Sequence, residues 1–152
     1  MTSHKQRADV LRQRYPRSRI EKLGVKPGAR VTVLGVDDPA FREELKTAGA
    51  DVSTRPRADS DIIFIGMTSK DDLTRLVPLR RSIKPAGMIW VIWPKGRKEF
   101  REDDVRDYGP QAELVDVKVM AFSETLSGLK MVIPVAMRAP AQARAGVRRT
   151  PN

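Results

Sequence analysis

The chain of 152 residues has no cysteine. Disulfides, thiolate metal sites and cysteine nucleophiles are therefore excluded. Histidine is nearly absent too: His4, in a polar N-terminal stretch, is the single one. A histidine-built zinc site or a Ser-His triad would have to recruit that one residue from the N-terminal segment, and no metal is expected. No apolar run approaches membrane-spanning length, and the N-terminus lacks the apolar core of a signal peptide. The expectation is a soluble, cytoplasmic chain with no membrane partner.

Charge is plentiful but uneven. The net charge is +10. Residues 1–30 hold 9 Lys/Arg and 2 Asp/Glu, and residues 138–152 hold 4 Arg and no acid. The middle, 31–137, holds 16 Lys/Arg against 17 Asp/Glu. The body is thus nearly neutral and the basicity belongs to the ends. Basic ends either neutralise nucleic-acid phosphates, releasing counterions, or serve as solvated tails. The expected organisation is a basic extension over 1–20, one α/β domain over 21–137, and a disordered basic tail over 138–152.

The domain is organised around Met88-Ile89-Trp90-Val91-Ile92-Trp93, entered through Lys84-Pro85-Ala86-Gly87 and closed by Pro94-Lys95-Gly96. Six consecutive apolar residues between breakers read as a strand buried on both faces. Residues 30–36 and 61–66 read the same way. Residues 51–55 are weakly apolar and suit a sheet edge. Between the strands, Asp38-Pro39 signals a helix start and Gly49 its end. Ser69-Lys70-Asp71-Asp72 resembles a capping box, with Pro78 expected to break or kink the helix that follows. A short helix is expected over 102–108.

The last two strands differ. In 113–122, Val115, Val117, Val119 and Ala121 alternate with Asp116 and Lys118, a half-exposed pattern. Residues 129–137 are more apolar, with pairing expected to stop near Pro134. The six residues 123–128 should form a hairpin connection. The pattern gives a Rossmann-like, three-layer α/β domain. Its mostly parallel six-stranded sheet has order 2-1-3-4-6-5, with an antiparallel C-terminal hairpin.

This arrangement resembles the Rossmann-like methyltransferases that use S-adenosylmethionine, over about residues 22–137. Lys26-Pro27-Gly28-Ala29-Arg30-Val31-Thr32-Val33-Leu34-Gly35 is similar to the lead-in to their first strand. Ser60-Asp61-Ile62-Ile63-Phe64 is similar to their fourth. Lys84-Pro85-Ala86-Gly87-Met88-Ile89-Trp90-Val91 resembles their Lys-Pro-Gly-Gly strand. The chain also resembles a small bacterial family of domains of unknown function that look like shortened versions of that fold. That likeness rests on Trp90-Val91-Ile92-Trp93-Pro94-Lys95, on Leu114-Val115-Asp116-Val117-Lys118-Val119, and on Glu124-Thr125-Leu126-Ser127-Gly128-Leu129-Lys130.

The methyltransferase motifs are incomplete. After Leu34 there is one glycine, Gly35, and bulky Val36 and Phe41 would crowd an adenosyl group. Ser53-Thr54-Arg55 stand where an acid for the ribose is expected. The sequence therefore predicts no cofactor and leans away from an enzyme.

Ligands of open α/β sheets bind beyond the carboxyl ends of the parallel strands. That rim should gather Asp37, Ser69, Trp93, Lys95, Lys98, Glu124, Ser127 and Lys130, with Asp38, Arg55, Arg57, Thr68, Arg97 and Thr125 nearby. Lys130 should lie beside Trp93 or Lys95. Cations and hydroxyls together favour a small anionic metabolite, bound without catalysis. Two alternatives stand beside that reading. One is a nucleic-acid- or ribosome-associated protein acting through its basic tails. The other is a degenerate methyltransferase-like enzyme, with Asp37 and Glu124 as a carboxylate pair and Lys95 or Lys130 as an electrostatic clamp. Trp90 and Trp93, three apart on a strand, face opposite ways and cannot form one stacking platform.

Overall fold

The computed structural model describes residues 18–138. The basic extension up to residue 17 lies outside them, as does the tail from residue 139 onward. Helix α1 (Arg19–Leu23) opens the described chain, and its N-cap Ser18 forms a capping box with Glu21. Arg19 and Ile20, expected in the extension, belong to the packed body: Ile20 is buried, and Arg19 bonds to three later residues, Asp38, Glu44 and Phe122.

Strand β1 (Arg30–Leu34) leads to helix α2 (Pro39–Thr47). The Asp38 side chain accepts a hydrogen bond from Phe41 N at 3.0 Å, and Pro39 takes the first helical position. Gly49, at φ +78°, follows the helix in the left-handed region that a side chain would strain. Strand β2 (Asp51–Ser53) is short and lies at the sheet edge. Strand β3 (Ser60–Gly66) runs beside β1.

A 3-10 turn (Lys70–Arg75) and helix α3 (Leu76–Arg80) come next. Pro78 does not break this segment. It sits in the first turn of α3, where a missing N–H costs nothing.

Strand β4 (Ile83–Pro94) is longer than its apolar run, because the Pro85-Ala86-Gly87 segment stays in the strand as an irregularity opposite β3. A Cβ on Gly87 would sit 3.0 Å from Ser60 O and 3.1 Å from Asp61 O, so glycine lets the two backbones close up there. Helix α4 (Glu102–Tyr108), strand β5 (Val115–Ala121) and strand β6 (Leu126–Val132) complete the domain.

The single sheet has order β2-β1-β3-β4-β6-β5. Strands β2, β1, β3 and β4 are mutually parallel, and β6 is antiparallel to both β4 and β5. One face packs against α1 and α2 through Leu23, Phe41, Leu45, Phe64, Trp90 and Phe122. The other packs against α3 and α4 through Leu76, Leu79, Ile89, Trp93, Phe100 and Val105. Trp90 and Trp93 do face opposite ways, but both are buried, and Trp90 Nε1 donates to Leu23 O at 3.1 Å.

Two register details differ from the alternation pattern. In β5 an irregularity between Asp116 and Lys118 inserts Val117 as an extra residue. Val115 is opposite Val132, while Val119 is opposite Leu129. The shift by one residue therefore places these two valines on opposite faces rather than one. Strand β6 also begins three residues earlier than its apolar core suggests, so the hairpin connection is four residues, 122–125. Ser123 Oγ closes that turn by accepting from Thr125 N and Leu126 N.

Candidate functional site

The chain crosses from β2 to β3 over β1, so the strand order reverses between β1 and β3. That reversal leaves a crevice at the carboxyl ends of these strands. A cleft of about 480 Å³ occupies it. Gly35, Val36 and Asp37 line it from β1, and Gly66, Met67 and Thr68 from β3. Asp72, Ile92, Pro94, Thr125 and Leu126 complete the wall.

Two glycines shape the floor. Gly35 has φ +67°, a left-handed conformation that turns the chain sharply out of β1. A Cβ on Gly66 would lie 2.2 Å from Gly35 O, so the two strand ends touch through backbone alone. Phe41, expected to crowd this space, does not enter it. It is 0% exposed and packs edge-on against Phe64 and Phe122 at 4.9 and 4.8 Å. Val36 stays in the wall but is buried.

The electrostatics of the cleft are one-sided. Its wall holds two carboxylates, Asp37 and Asp72, and no Lys or Arg. Asp72 Oδ2 accepts the backbone N–H groups of Thr68 and Ser69 at 3.0 and 3.2 Å. Asp37 is exposed. Its neighbour Asp38 is committed elsewhere, accepting from Arg19 at 2.7 Å. Burial alone would push the Asp38 carboxyl up; the hydrogen bonds from Arg19 and Phe41 N outweigh burial and hold it below the usual carboxylate range. Burial likewise opposes the charge of Arg19, but Glu44 and Asp38 raise its pKa. The Arg19 guanidinium also donates to Phe122 O at 3.0 Å and lies 4.7 Å from that ring's centroid, tying α1, α2 and the end of β5 together.

The expected rim residues do not form one group. Sheet pleating divides them. Ile92 and Pro94 face the cleft, whereas Trp93 and Lys95 line a separate groove of about 340 Å³ on the other face of β4, together with Lys98 and Ser127. Asp37 belongs to the cleft, and Ser69 lies beside it as the residue capping the 3-10 turn. Glu124 is exposed in the hairpin turn and lines neither space. Lys130 is not beside Trp93 or Lys95. It pairs with Trp90, while Ser127 takes the place opposite Trp93, because β6 starts early. Arg57 also leaves the rim: it turns back to donate to Val31 O at 3.0 Å and to Asp51.

Asp72 and Gly66 were missed as site residues. Asp72 was legible as a capping acid following a strand end, and Gly66 as the glycine ending an apolar run. A further cleft of about 380 Å³ opens at the amino ends of the strands. Its acid, Asp61, is already taken by Arg30 N at 2.8 Å and Lys84 at 2.9 Å. Among the described residues no cluster of three or more His, Asp or Glu side chains could hold a metal, and no helix is long and apolar enough to cross a membrane.

Sheet order, inserted antiparallel strand and cleft position define a Rossmann-like, methyltransferase-type fold. Solved structures of that class match most of the chain. A TehB-like S-adenosylmethionine-dependent methyltransferase from Corynebacterium glutamicum matches with TM-score 0.58 and 12% identity, over 86% of this chain and 96% of that one. An S-adenosylmethionine-dependent methyltransferase from Aquifex aeolicus matches with TM-score 0.59 and 17% identity, over 75% and 87%. A ribosomal protein L11 methylase from Lactobacillus delbrueckii subsp. bulgaricus matches with TM-score 0.58 and 11% identity, over 76% and 74%. At such identities the likeness is one of fold. No family model matches the chain, and no curated protein matches it. The expectation of a non-catalytic module for a small anionic ligand is overturned by these neighbours: the methyltransferase-like alternative fits them better.

Proposed function

We propose that the chain is a shortened methyltransferase-like enzyme that takes S-adenosylmethionine in the cleft between β1 and β3. The observation carrying this reading is the charge of that cleft, which holds two carboxylates and no cation at the topological switch point. Such a wall favours a cationic sulfonium over an anion. The volume of about 480 Å³ falls within the range of cofactor sites. Likeness to a small bacterial family of shortened methyltransferase-like domains belongs to the same proposal.

The residues present fit the cofactor in part. Asp37 stands ready for positive charge, and Thr68 offers a hydroxyl. Val36, Met67, Ile92 and Leu126 supply apolar wall against which a flat ring packs. Strand β2 gives no ribose clamp, since Ser53 Oγ donates to Arg55 O at 2.9 Å and accepts from Arg55 N at 3.1 Å. The hold therefore rests on β1 and β3. When bound, the cofactor supplies a methyl group made electrophilic by its sulfonium. The chain's own contribution is to orient that group at the mouth of the cleft and to exclude water from its walls.

Calorimetric titration with S-adenosylmethionine and its demethylated product tests this. Saturable binding, with amide shifts confined to residues 35–37, 66–68 and 72, supports the reading. No heat at millimolar ligand, or shifts only at the amino-end cleft, refutes it.

A further inference from the structure

Beyond β4 from the cofactor cleft, the groove over Trp93 has the opposite charge. We infer that this groove docks the phosphate backbone of a polynucleotide, presented to the cleft as the acceptor. The inference rests on the proposed methyl-transfer reading for its purpose, but not for its binding.

The loop from Lys95 to Arg101 carries Lys95, Arg97, Lys98 and Arg101, all exposed, against one acid, Glu99. Among the described residues none of these four cations makes an ion pair, and two of the acids that follow them are occupied by other partners. Glu102 pairs with Arg106 at 2.6 Å, and Asp104 pairs with Lys70 at 3.6 Å while accepting from Arg101 N at 2.8 Å. The groove therefore sets four cations against one acid in its wall, Glu102, with the other acids of the first turn of α4 beside it.

The loop is also held in place. Trp93 and Phe100, at its two ends, are buried and meet edge-on at 6.2 Å. Lys95 N donates to Thr125 O at 2.9 Å, and Gly96 turns the chain at φ +76°. Four cations are thus presented from one anchored turn.

Charge complementarity selects the occupant. Each exposed cation gains only ~0–1 kcal/mol from a lone counter-charge. The groove therefore retains a single phosphate poorly, while a chain of phosphates adds a counterion-release term at each contact. With Trp93 buried, no ring is offered to a base, so recognition is of the backbone and indifferent to sequence. The two sites flank the last residues of one strand, β4, on opposite faces of the sheet, so a chain lying on the groove passes the carboxyl edge of the sheet to meet the mouth of the cleft.

The test uses the full chain and fluorescent 20-nucleotide RNA and DNA, with anisotropy read from 50 to 300 mM salt. The variant K95A/R97A/K98A/R101A is compared with a charge-matched control, R42A/K46A/R75A/R81A. Loss of four phosphate contacts lowers the salt slope by about 3 and the affinity at 0.1 M salt by roughly a hundredfold. The control loses far less. RNA and DNA losses of similar size assign the shared backbone; loss for one alone assigns that polymer. Equal weakening by the control overturns the proposal in favour of net charge alone. Retention of polyglutamate as tight as RNA overturns it in favour of an acidic polypeptide. Cofactor titration of the same groove variant is unchanged. A chain that binds RNA through the groove but no cofactor refutes the methyltransferase reading while leaving the groove standing.

Discussion

Replacing Gly66 by alanine tests the floor of the cleft. The added Cβ would lie 2.2 Å from Gly35 O, 2.9 Å from Gly35 C and 3.5 Å from Val36 N, all backbone atoms that no rotamer change can move aside. The ends of β1 and β3 must separate by about 1 Å, against the packing of a dense interior. Overpacking of this kind costs about 3 kcal/mol, the upper end of its range. With a urea slope of about 1.5 kcal/mol/M, the unfolding midpoint falls by about 2 M. Buried Trp90 and Trp93 provide the fluorescence signal. Gly96→Ala is the control: its Cβ meets nothing within 4 Å, and at φ +76° it costs only the left-handed strain of about 1–2 kcal/mol. Gly66→Ala costing no more than Gly96→Ala would refute the contact between the strand ends.

Other outcomes follow from the same geometry. Arg19→Met leaves the carboxylates of Asp38 and Glu44 without their partner and should cost about 2–3 kcal/mol in chemical denaturation; a loss under 0.5 kcal/mol refutes the tie between α1 and α2. Asp38 and Asp61 both have depressed carboxyl pKa values: burial opposes the charge, but their hydrogen bonds outweigh it. Their stabilisation is fully present above the unfolded value of about 3.9 and is lost as pH falls through the lower folded values. Asn at either position should flatten the acid limb of a stability–pH curve; an unchanged limb contradicts the assignment. Trp90→Phe removes the bond to Leu23 O and should cost about 1 kcal/mol from that bond, with added loss from the smaller ring. Asp37→Asn should weaken S-adenosylmethionine binding about tenfold, or ~1.4 kcal/mol, without shifting the unfolding midpoint; equal affinity removes Asp37 from the site.

Much of the architecture was legible because local signals agreed. Apolar runs named the central strands, and weak apolarity named β2 as an edge. Asp38-Pro39 and Gly49 bounded α2. Two of the failures share one cause: residue-by-residue offset. One inserted residue at Val117 reverses the faces of β5, and an early start of β6 slides Lys130 three residues from the rim. Neither shift leaves a mark in hydropathy, because each depends on which backbone groups of a neighbouring strand are met. Phe41 was read as an obstacle because its position in sequence adjoins the cleft. Its ring instead completes an aromatic triad with Phe64 and Phe122, contacts that join residues far apart in the chain.

Composition and periodicity alone decided that this chain has no thiol chemistry, and that it builds a layered α/β sheet in a definite strand order. They did so because burial demand and turn chemistry are local properties of a segment. Folding alone decided which polar side chains share a space. The sheet, one residue thick, sorts alternate residues of β4 to opposite faces, and so splits a single expected rim into an acidic cleft beside Asp37 and a basic groove beside Lys95.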